Sequence, residues 1–103
     1  MIDDIAVHRE ELQNLCRRFG VRRLDIFGSA AHGDFDPARS DFDFLVEFDA
    51  DAPDARSLKS YFRFKESLEA LFGRGVDLVE AGALRNPYVK ASIERSRETV
   101  FAA

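Results

Sequence analysis

Apolar residues Ile5, Leu12, Leu15, Cys16 and Phe19 recur at three- and four-residue spacing, which predicts an amphipathic helix over residues 3–19. Asp3 and Asp4 suit its first turn and Gly20 its end. Arg22 to Phe27 then reads as a short strand, with Leu24, Ile26 and Phe27 apolar around Asp25. Gly28 to Gly33 turns from that strand into a short helix, and Asp36-Pro37 marks a further turn. From Asp41 to Phe48 the alternation is strict: Phe42, Phe44, Val46 and Phe48 face one way, and Asp41, Asp43, Leu45 and Glu47 the other. A polar, Pro-containing loop at 49–54 leads to a second helix over 55–72, with Leu58, Tyr61, Phe62, Leu68, Leu71 and Phe72 on its apolar stripe. Phe62 and Phe64 diverge by about 200° on that helix, so one of them is expected at the surface, where it is a candidate contact for a partner.

Gly73 and Gly75 end the second helix, and Val76 to Glu80 forms a third strand. Residues 87–97 read as a last helix opened by Pro87, and Thr99 to Phe101 as a final short strand. Helices that alternate with short strands predict an α/β (α+β) fold, a small mixed sheet flanked by helices. No repeat, linker or low-complexity segment interrupts the pattern, and 103 residues fit a single domain over 1–103.

Composition narrows the functional classes. Hydrophobic residues make up 46% of the chain, enough for a compact core. The net charge of −4 gives no strong nucleic-acid signal, because phosphate contacts usually come from a surplus of Lys and Arg. Arg17, Arg18, Arg22, Arg23 and Arg39 are read as surface charges, with triphosphate or partner contacts as the alternative, and His8 is given no functional role. Cys16 is the one cysteine, so no intrachain disulfide is possible, and its place on the helix stripe makes it a core thiol. No apolar stretch approaches the ~18 residues of a membrane span. The acidic, mixed N-terminus does not look like a signal peptide, and the default compartment is cytoplasmic.

The chemistry concentrates in one run and one distant residue. The first strand ends in Gly28-Ser29, and the second opens with Asp41 and Asp43. Residues at i and i+2 on a strand share a face with alpha carbons ~6.6 Å apart. Two carboxylates so placed repel each other unless a cation lies between them. Asp is a poor strand former, and this local inconsistency marks a functional site. Asp77 supplies a third carboxylate within the apolar run Val76-Asp77-Leu78-Val79. Together they offer the oxygen-rich coordination that magnesium prefers, in a two-ion site with one ion on the nucleophile and one on the leaving phosphate. Asp77 is placed on the nucleophile side, where it helps remove the attacking proton. Gly28 allows close backbone approach to a phosphate, and Ser29 caps a helix whose N-terminus faces the β- and γ-phosphates. His32 is a candidate contact to a phosphate or the leaving group. The residues alone therefore suggest metal-dependent attack on a nucleoside triphosphate.

These motifs resemble the signature of the nucleotidyltransferase superfamily that includes DNA polymerase beta, and the chain is similar to its smallest members, the minimal nucleotidyltransferases. Gly28, Ser29, Ala31, Gly33, Ser40, Asp41, Asp43, Leu45 and Val46 match the first part of the family pattern, and Val76-Asp77-Leu78-Val79 the second. Leu84 to Phe101 looks like the family's closing helix and strand. Position 30 is Ala where relatives often carry a larger or basic residue, and position 32 is His where they usually carry Arg.

The resemblance implies a polymerase beta-like nucleotidyltransferase fold. It implies Asp41, Asp43 and Asp77 as catalytic residues and metal ligands, and Gly28, Ser29, His32, Gly33 and Ser40 at the nucleotide. It further implies Mg2+, with Mn2+ as a possible substitute, and ATP as substrate. Small stand-alone members are often antitoxins paired with a HEPN-type toxin, and some transfer AMP to it, so the resemblance makes the expected partner such a toxin and the expected activity AMP transfer. Two other functions fit the same domain: a catalytically weak module that neutralises a toxin by occlusion, and a nucleotidyltransferase acting on RNA ends or a small molecule.

Overall fold

A mixed sheet carries the molecule, in the order β3-β2-β1-β4. Its strands are β1 (Val21–Phe27), β2 (Phe42–Phe48), β3 (Val76–Glu80) and β4 (Glu98–Ala102). The pairs β1–β2 and β1–β4 are antiparallel, whereas β2 and β3 run parallel. The helices are α1 (Asp3–Val7), α2 (Arg9–Arg18), α3 (Leu58–Phe72) and α4 (Pro87–Ser96), with a 3-10 turn at Ala81–Ala83. This computed structural model describes residues 3–28, 41–49, 58–83 and 85–102. The expected short helix after Gly28, the turn at Asp36-Pro37, Arg39, most of the 49–54 loop and the start of the second helix lie outside the described residues.

The parallel β2–β3 pair needs a crossover, and α3 provides it. Its buried face is Phe64, Leu68 and Phe72, one residue per turn, all packed into the main core. Alternate residues Phe42, Phe44, Val46 and Phe48 of β2 meet that face, as the alternation predicts. Phe72 is the hub: its ring lies 5.0 Å from that of Phe42 and 6.0 Å from that of Phe44. Leu12 and Cys16 of α2 complete the cluster with no exposed area. Burial pushes the Cys16 thiol up to about 12, which keeps it protonated and unreactive, in keeping with a core role.

The structure corrects the sequence reading in three places. The first helix is broken at His8, whose φ of −100° and ψ of 18° leave helical values. Its ring packs edge-on against Phe72 at 5.6 Å, so His8 has a structural task at the break. On α3 the stripe is rotated: Phe64 is fully buried, whereas Leu58 is 71% and Phe62 49% exposed. The i, i+4 series through Phe72 selects Phe64 and leaves Leu58 and Phe62 on a neighbouring ridge. Leu45, expected on the polar face, is buried. Its strand is central in the sheet, and the face opposite the main core is also covered.

Part of that cover comes from α4. Asn86 caps it by accepting from the Tyr88 and Val89 amides, and Pro87 occupies the first turn where its missing N–H costs nothing. Ile93 is the buried residue of this helix. At its C-terminal end Arg97 reaches the buried Asp25 of β1, with Nε 3.2 Å from Oδ2. Arg23 Nε lies 3.0 Å from the other oxygen. A buried carboxylate is tolerated because two guanidinium groups neutralise it.

Candidate active site

The site lies where β1 ends and β2 and β3 begin. Register pairs Phe27 with Asp43 across the antiparallel ladder and Asp43 with Asp77 across the parallel one. Residues that are distant in the chain thus become lateral neighbours on one sheet face, with Asp43 between the other two strands. Asp43 is half-buried, while Asp41 and Asp77 are exposed.

Two glycines shape the space around these carboxylates. Gly28 has φ +72°, a conformation that disfavours any side chain, and a Cβ there would sit 2.6 Å from Asp43 Oδ2. The turn after β1 therefore presses bare backbone against the Asp43 carboxylate. At Gly75 a Cβ would lie 2.8 Å from Asp41 Oδ1 and 2.9 Å from Oδ2. The Gly75 carbonyl also accepts the Phe42 amide at 3.1 Å, tying the start of β2 to the segment before β3. Gly75 was legible only as a helix terminator; its role as the seat of Asp41 required the strand pairing.

The charges interact as their spacing suggests. Burial, the Asp77 charge, a hydrogen bond with Asp77 and the Asp41 charge together raise the Asp43 carboxyl from 3.8 to about 6. Asp43 and Asp77 meet closely enough to share a proton, whereas Asp41 turns to Gly75 and acts on Asp43 only through its charge. Among the described residues no group of three or more His, Cys, Asp and Glu side chains is gathered tightly enough to hold a metal ion as it stands. The donor set nevertheless suits a hard divalent ion: three carboxylates at one end of the sheet, one of them raised by burial and by its two acidic neighbours. Of the other expected site residues, Ser29, His32, Gly33 and Ser40 lie outside the described residues.

A family model for the nucleotidyltransferase domain matches residues 8–100, which takes in β1, β2, β3 and the start of β4. The chain belongs to the nucleotidyltransferase domain family. The protein adenylyltransferase MntA of Thermococcus cleftensis is 36% identical to this nucleotidyltransferase over 94% of this chain and 87% of the relative. A Methanocaldococcus jannaschii protein assigned as a protein adenylyltransferase is 40% identical over 84% of this chain and 83% of the relative. Among solved structures, a minimal nucleotidyltransferase superposes with a TM-score of 0.74 at 34% identity, covering 90% of this chain and 89% of that one. The complex of tri-AMPylated Shewanella oneidensis HEPN toxin with MNT antitoxin contains a chain of the same fold, with a TM-score of 0.67 at 15% identity over 96% of this chain and 73% of that one. The mixed sheet with its helices is accordingly the minimal nucleotidyltransferase fold, and the nucleotidyltransferase is an enzyme that uses a nucleoside triphosphate.

Proposed function

We propose that this nucleotidyltransferase moves AMP from ATP to a hydroxyl of a partner protein in the cytoplasm, and that it serves as the antitoxin of a HEPN/MNT pair. The observation that carries the reading is the Asp43–Asp77 pair beside Gly28, where Asp43 is raised to about 6 by burial and by its two acidic neighbours. The acceptor class is supported by relatives named as protein adenylyltransferases.

In this reading Asp41, Asp43 and Asp77 hold the divalent metal, with magnesium the first choice. Bound there, the ion would supply charge neutralisation at the phosphates and activation of the incoming oxygen. Asp77, the more exposed partner of the pair, accepts the proton of the attacking hydroxyl. That oxygen bonds to the α-phosphorus, the bond to the β-phosphate bridging oxygen breaks, and pyrophosphate leaves. Gly28 brings backbone to the phosphates, and Ser29, His32, Gly33 and Ser40 are the further nucleotide positions. Phe62 and Leu58 on the exposed ridge of α3 are offered to the partner protein.

Titration calorimetry with ATP tests the site, run with magnesium and with EDTA, on wild type and Asp43→Asn. Magnesium-dependent binding that the variant loses is expected. Loss of one metal ligand removes several kcal/mol of transition-state stabilisation, so AMP transfer to the partner should fall at least about hundredfold. A variant that transfers normally refutes the assignment. A variant that loses transfer yet still neutralises the partner assigns that effect to occlusion.

A further inference from the structure

Gly28 shapes the floor under Asp43, yet its own conformation needs support. Its amide lies past the end of the β1 ladder, and a residue at φ +72° is not held by strand pairing. The amide is instead bonded by a side chain 68 residues away: Gly28 N–H donates to Ser96 Oγ at 3.3 Å. Ser96 closes α4, and its hydroxyl donates in turn to the Ser92 carbonyl at 3.3 Å. The hydroxyl thus uses its proton within the helix and a lone pair on Gly28, which fixes its rotamer. Arg97, the next residue, grips Asp25 three residues before Gly28. Two adjacent residues therefore fasten the same stretch of β1 and its turn to the α4–β4 corner.

We propose that Ser96 is a positioning residue for the nucleotide site. It acts through Gly28, holding the turn in the conformation that packs against Asp43 and meets the triphosphate. It does not touch the reacting atoms. The contact is polar: the Gly28 amide donates to the Ser96 hydroxyl, while the Asp25 carboxylate nearby in the chain is engaged by Arg23 and Arg97. The consequence for nucleotide binding rests on the nucleotidyltransferase reading above, whereas the link between Ser96 and Gly28 does not.

The test compares wild type, Ser96→Ala and Ser96→Thr in the full chain. Hydrogen exchange at the Gly28 amide is read by NMR, and magnesium-ATP affinity by calorimetry. Loss of one partly exposed hydrogen bond predicts Gly28 exchange about three- to tenfold faster in Ser96→Ala, a similar weakening of ATP binding, and unchanged exchange in the core amides of β2. Ser96→Thr, which keeps the hydroxyl, should restore both. Wild-type Gly28 exchange in Ser96→Ala overturns the proposal, and so does a faster exchange shared by all amides, which would indicate general destabilisation. Altered Gly28 exchange with unchanged ATP affinity overturns the functional part. If wild type binds no ATP at all, the proposed function fails, and the Gly28 exchange still decides whether Ser96 holds the turn.

Discussion

Asp43 is a carboxyl kept partly protonated by its surroundings, and that has a measurable sign. The folded chain retains its proton up to about pH 6, while the unfolded chain releases it near the ordinary 3.8. The folded state therefore binds more protons between these values. The group's favourable contribution is full below the lower value and is lost as pH rises through about 6. In metal-free protein, Asp43→Asn should be more stable than wild type at pH 7.5, by on the order of 1 kcal/mol once solvent screening of a half-exposed site is allowed for. At pH 3.5 the two should coincide. Urea denaturation in EDTA at both pH values checks this. An equal difference at both would mean that packing, not charge, separates the variants.

At the scale of elements, α3 carries the strongest stability contrast. Phe64 is fully buried between Phe19 and Phe48, with ring centroids 5.5 and 6.2 Å away. Phe64→Ala should cost about 3–5 kcal/mol, as aromatic truncations in cores do. Phe62→Ala should stay within about 0.5 kcal/mol, because half of that side chain already faces solvent. Thermal melts of the two variants decide between this assignment and the stripe inferred from periodicity alone. The comparison also shows what a single chain can disclose. The strands, the last helix and the Asp-x-Asp run were legible because alternation, Pro87 and the glycines act locally. Choosing Phe64 over Phe62 was not, since the two point about 200° apart, each is aromatic, and only the position of β2 beneath the helix selects one. The burial of Leu45 likewise depends on neighbours on both sides of its strand. In the candidate site, Asp41, Asp43 and Asp77 could be named from their spacing. Their unequal partnership could not, because the Asp43–Asp77 register is set by strands joined through a loop and a whole helix. Ser96 carried no signal at all, since a serine at a helix end is ordinary without its bond to Gly28.

The whole molecule divides its labour between the two faces of the sheet. One face buries the aromatic core under α2 and α3, and the other holds the carboxylates and the α4–β4 corner. With a net charge of −4, nothing in this arrangement favours the polyanionic backbone of nucleic acids. Fluorescence anisotropy with labelled duplex DNA and single-stranded RNA at physiological salt should show no binding at micromolar protein. Tight, salt-sensitive binding would instead direct attention to RNA ends as acceptors.

The pairing of β1 also bears on how the protein is made. β2 follows β1 closely, but the other neighbour, β4, comes from much further along the chain, and Arg23 meets Thr99, 76 residues away, across that seam. Such non-local closure is slow compared with local contacts. During translation, Asp41, Asp43 and Asp77 all emerge well before Ser96 and β4. A ribosome paused short of residue 96 holds a chain with every carboxylate of the site and no hydroxyl to fasten the Gly28 turn. Maturation of the site is thereby coupled to synthesis of α4, which carries Ser96.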